Sequence, residues 1–112
     1  MGLLAETLLS LKDSNAKTRE AAFGLLLAMA RIQEDLRHFI RSLMAAVGST
    51  TSHMRSAAVV ALSRVVFEYS VDGVVQSLLP SMLRTILVLS DDPSREVVKS
   101  FVGFVRVAVV VI

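Results

Sequence analysis

Residues 8–26 read LLSLKDSNAKTREAAFGLL, and the pattern returns as LMAAVGSTTSHMRSAAVVAL at 43–62 and ILVLSDDPSREVVKSFVGF at 86–104. Each copy is an apolar helix end, a short polar turn, an Arg, and then a second, more apolar helix. The arginines fall at Arg19, Arg55 and Arg95, so the period is 36 and then 40 residues. A period of that size built from two helices is the signature of an α-solenoid. Such a fold offers an extended surface in place of a catalytic pocket, so the chain is expected to hold something and not to transform it.

Working outward from the first turn, Leu4, Leu8 and Leu11 share one face of a helix over about 3–12. Asp13-Ser14-Asn15 ends it and caps the next, over about 16–31, which is apolar nearly all round and is expected to lie buried between layers. The boundary to the third helix is marked only by Gln33-Glu34-Asp35. That helix turns Leu36, Phe39, Ile40, Leu43, Met44 and Val47 inward and stops at Gly48. A fourth helix follows over about 53–69 with Thr51 or Ser52 as cap, and carries Arg64 and Glu68 as an i,i+4 pair. A fifth spans about 74–89 and should kink or restart at Pro80. The sixth runs from Ser94 toward the C-terminus; its β-branched end, 107–112, would suit a strand, but its match to the other copies predicts helix. The fold class is therefore all-α, with approximate repeats 1–33, 34–70 and 71–112 in one segment.

Composition adds to this. In 112 residues, 54% are hydrophobic and 20% charged, with a mean hydropathy of +0.63. A small domain has much surface to cover, so a chain this apolar is expected to continue into neighbouring repeats of a longer protein. No stretch has the basic start and cleavage site of a secretory signal. Lys99 and Arg106 interrupt the apolar run 97–112 and leave six residues after Arg106, far short of the roughly 18 that span a membrane. The reading there is a buried helix, with no membrane partner.

Twelve Lys and Arg face ten Asp and Glu, and nine of the twelve are Arg. The residue suits bidentate pairing with carboxylates or phosphates. There is no Cys, and the only histidines, His38 and His53, lie in different repeats. A metal needs three or four convergent ligands, so no metal and no cofactor is expected. No nucleophile elbow and no phosphate-cradling glycine cluster is present. The carboxylate pairs Glu34-Asp35 and Asp91-Asp92 sit where helix starts favour negative charge, so the chain is not read as an enzyme.

Two constellations remain. Asp13 and Arg19 can meet across the tight corner, or stack against the same pair in adjacent repeats as a ladder. The second copy has Ser49 where the Asp belongs, and the third has a turn two residues shorter, so a ladder is complete only in part. Arg95, Lys99 and Arg106, four and seven residues apart, form one stripe on the last helix. On the residues alone that stripe reads first as a solvated face, and second as a contact line for RNA phosphates or an acidic partner.

The Asp turn and following Arg resemble the HEAT repeat. Beyond that, LKDSNAKTREAAFGLL at 11–26, SAAVVALSRVVFEY at 56–69 and LSDDPSREVVKSFVGFVRVAV at 89–109, in this order, look like the ribosomal RNA-processing HEAT-repeat proteins, the family named for ribosomal RNA-processing protein twelve. That resemblance covers most of the chain. It implies three HEAT-type helix pairs within a much longer nuclear and nucleolar solenoid, and a scaffold role in pre-ribosomal RNA maturation and subunit export. The implied partners are pre-ribosomal RNA or assembly proteins and nuclear transport factors. The resemblance also raises Arg95, Lys99 and Arg106 as the candidate contact. The competing reading is a HEAT adaptor in nuclear transport or phosphatase and kinase scaffolding.

Overall fold

A computed structural model of the protein describes residues 2–32 and 36–111; the boundary at Gln33-Glu34-Asp35 lies outside them. The described residues form helices α1 (Gly2–Ser10), α2 (Ala16–Ile32), α3 (Leu36–Ala46), α4 (Ser52–Glu68), α5 (Gly73–Leu87) and α6 (Arg95–Val111), with a short 3-10 turn at Val88–Asp91 before α6. No strand occurs among the described residues. The class is all-α, and the β-branched end of α6 is helical to Val111 because its packing on α4 outweighs local propensity.

α4 is the centre of the core. Its sequence is apolar on most sides, and Ser56, Ala57, Ala58, Val59, Ala61, Leu62, Val65 and Val66 are all buried. It touches α1, α2, α3 and α6, while α5 packs on α3 and α6. Small residues let α6 come close: Ser56 and Ser100 share a buried hydroxyl contact of 2.5 Å, and Ser100 also donates to the carbonyl of Glu96. Val97, Phe104 and Ala108 complete the inward row of α6.

Two expectations are corrected. α2 is not enclosed: Ala22, Leu26 and Ala30 are buried, but Gly24 and Leu25 are exposed, because no second layer among the described residues covers its outer side. Of the kink or restart expected at Pro80, the restart does not occur: α5 runs unbroken through it. Pro80 and Gln76 both face solvent, so the carbonyl that the proline leaves unpaired is on the wet side of the helix. The stretch Gly73–Asp91 has the length and hydropathy of a membrane-crossing helix, yet Val75, Leu78, Leu79, Met82, Ile86 and Leu89 on it are buried in this core.

The recurring turn has a common construction in its first two copies. Arg19 donates through Nη1 to the carbonyls of Asp13 and Ser14 at 2.8 and 3.1 Å. Arg55 does the same to Ser49 and Thr50 at 3.0 and 3.2 Å. The Asp13–Arg19 contact is thus to the main chain; the Asp13 carboxylate accepts the N–H of Asn15 instead. Arg95 is not the third such clamp. The shorter turn starts α6 at Arg95, so Val98 takes the fourth helical position that Arg19 and Arg55 occupy.

Arg55 also reaches forward. Its Nε and Nη2 bind the two oxygens of Asp92 at 2.9 and 3.1 Å, a bidentate pair between the second and third turns. The side chain of Asp92 is 7% exposed, and its carboxyl is held below the ordinary value, first by the Arg55 hydrogen bond and then by the N–H of Ser94. A depressed carboxyl stabilises the fold above its unfolded pKa, and that contribution is lost as pH falls through the folded value. Arg55→Ala is therefore expected to lower the melting midpoint more than Arg19→Ala, and to make stability less steeply dependent on pH below about 4. Melting of both variants from neutrality into acid checks this; parallel acid limbs for wild type and Arg55→Ala would refute it.

Candidate functional site

α6 is amphipathic in an unusual way. Its inward row is Val97, Ser100, Phe104 and Ala108, which forces the stripe Arg95, Lys99 and Arg106 outward, where all three are exposed. The structure brings the three together: with Val98, Val102 and Gly103 they line one surface groove of about 330 Å³. The Asp13–Arg19 corner lies at the α1–α2 turn and takes no part in it.

Arg95, Lys99 and Gly103 also border a larger groove of about 590 Å³ between α6 and α4. Lys12 also lines it and pairs with Glu96 at 3.2 Å, with His53 Nδ1 3.7 Å from the same oxygen. Although that oxygen makes no well-directed hydrogen bond, the ion pair gives it a cationic neighbour. Across Val60 and Ser63 the trough continues into a third hollow of about 210 Å³, walled by Phe23, Arg64, Phe67 and Val107. Here the guanidinium of Arg64 lies over the Phe23 ring, 5.0 Å from its centroid.

The electrostatics follow from the inventory. Among the described residues, Lys12, Arg64, Arg95, Lys99 and Arg106 line these three grooves, with Glu96 as the one carboxylate. Of the chain's twelve Lys and Arg and ten Asp and Glu, these grooves gather five cations and one carboxylate. The modest net charge of +2 thus conceals a locally basic face. Such a face suits an anionic ligand. Among the described residues no group of three or more His, Asp or Glu converges as a metal site would require.

Sequence reasoning missed Lys12, Arg64 and Phe67 as members of this surface. Arg64 reads as a partner of Glu68, and Phe67 carries no reading beyond the fourth helix's being apolar on most sides. The available signal was the polar row Ser63, Arg64 and Glu68 on an otherwise apolar helix. It marks the wet side of α4, and Phe67 lies within it.

Known proteins resemble this chain along almost its whole length. The putative ribosomal RNA-processing protein 12 of Schizosaccharomyces pombe is 29% identical over 118 residues, covering 96% of this chain and 10% of the relative. The ribosomal RNA-processing protein 12 of Saccharomyces cerevisiae is 28% identical over 129 residues, covering 95% and 10%. The RRP12-like protein of Gallus gallus is 30% identical over 119 residues, covering 98% and 9%. The chain thus spans about a tenth of the length of the curated relatives it matches. No family model matches it, and no solved structure does.

Proposed function

This chain is a homologue of one segment of the ribosomal RNA-processing protein 12 family, and from that premise we propose that it is a non-catalytic binding segment in ribosome biogenesis. On this reading it is three HEAT-type helix pairs of a longer solenoid in the nucleus and nucleolus. It holds pre-ribosomal RNA, alongside pre-ribosomal assembly proteins, during processing and maturation or export of the subunits. The observation that carries the reading is the basic face: five cations against one carboxylate on the grooves around α6, the charge that phosphates require. Arg95, Lys99 and Arg106 are its proposed phosphate contacts.

A transport or phosphatase adaptor with the same fold would bind a protein on this surface. A membrane module would instead use α5 or the end of α6, but the buried row of α5 supports a core helix. Ultraviolet cross-linking of the chain in cells tests the choice. Pre-ribosomal RNA is the expected species attached. Recovery of transport factors or phosphatase subunits without RNA would replace this reading with the adaptor one.

A further inference from the structure

We propose that the trough between α4 and α6 is a path for single-stranded RNA, with Phe67 as a base-stacking platform and Lys99 as a phosphate contact beside it. The inference rests on the RNA-binding reading above and deepens it by naming the site and the form of nucleic acid.

Phe67 is 57% exposed on the helix that otherwise forms the centre of the core. It stands at one end of the trough, one helical turn from Arg64, whose guanidinium is steadied over Phe23. From there the floor runs over Val60 and Ser63 to Lys99 and Arg95. A ring with a free face and a row of cations are the two elements that sequence-tolerant single-strand binding needs.

The path does not stop at α6. Gly103 borders the grooves on both sides of that helix, and a Cβ added there would meet nothing within 4 Å. The ridge is therefore low at this point, and a flexible strand can pass over it from Lys99 toward Arg106. An acidic protein segment would also meet the cations, but a solvent-facing aromatic ring beside them answers to the π faces of unpaired bases.

The experiment is anisotropy of a labelled oligouridylate of about 12 nucleotides, titrated with the full chain over a salt series. Phe67→Leu keeps apolar bulk at an exposed position but removes the π face. It is expected to weaken binding roughly tenfold at an unchanged salt slope, with Phe67→Trp restoring affinity. Lys99→Gln is expected to do the opposite, flattening the log–log salt slope by about 0.7. Wild-type affinity in Phe67→Leu, with salt-dependent binding intact, overturns the stacking site; an unchanged salt slope in Lys99→Gln as well overturns the RNA path through the trough. Absence of binding by the wild-type chain overturns the RNA reading itself. Helical spectra of the variants confirm that each is folded.

Discussion

Phe104→Ala is expected to destabilise the protein by about 4 kcal/mol, the largest effect of any single truncation in α6. Phe104 has 0% of its surface exposed and is the largest of the fully buried side chains. It sits midway along the inward row of α6, where that helix meets α4. Truncating it removes apolar burial and leaves a cavity that two helices already held by the Ser56–Ser100 contact and the Arg55–Asp92 pair cannot easily close. Against a typical total of about 5–15 kcal/mol, that is a large share, and the melting midpoint should fall by well over 10 °C, on the order of 4 °C or more per kcal/mol. Val109→Ala on the opposite face, at a position 70% exposed, should stay within about 0.5 kcal/mol. Thermal melting of the two variants measures this directly. Equal shifts would mean that α6 is not seated through Phe104.

Replacing Arg95, Lys99 and Arg106 together with Gln should flatten the salt dependence of RNA binding by about two units of log–log slope, at roughly 0.7 for each single-strand phosphate that is no longer neutralised. Between 50 and 200 mM salt, wild-type affinity should therefore drop roughly 20-fold further than that of the triple variant. All three side chains are exposed and stand on one face of α6, so the helical spectrum should not change. RNA titration across that salt range is the measurement. An unchanged slope would reduce the stripe to a solvated face and send the search for RNA contacts to other surfaces.

The helices were legible because their apolar rows are long and their turns carry capping residues: Asn15 accepts from the N–H groups of Lys17 and Thr18, and Asp72 from that of Val74. The third turn was harder. Matching by residue type aligns Arg95 with Arg19 and Arg55, but a turn shorter by two residues moves Arg95 to the first position of α6. Only the cap, not the residue name, fixes the equivalence. The Arg55–Asp92 pair joins positions 37 apart in sequence, beyond what local spacing can specify.

The stripe on α6 followed from helical periodicity, since its residues belong to one element. Lys12, Arg64 and Phe67 belong to two others, and their convergence depends on how α4 lies against α6. Phe67 was the hardest to read: an aromatic residue among valines is usually core, and only Ser63, Arg64 and Glu68 on the same side reveal that this one faces water.

The Arg55–Asp92 tie between the second and third turns and the Lys12–Glu96 tie from the first turn to α6 differ in stiffness. Arg55 grips its own turn through carbonyls and the next one through both oxygens of Asp92, and a planar guanidinium fork resists sliding and twisting as well as separation. Lys12 reaches Glu96 through a flexible four-carbon stem ending in a single rotatable ammonium. A torque on α6 is therefore passed more stiffly to α4 than to the α1–α2 pair. The part of the trough walled by α4 and α6 alone keeps its shape, while the sides lined by Lys12 and Phe23 yield first.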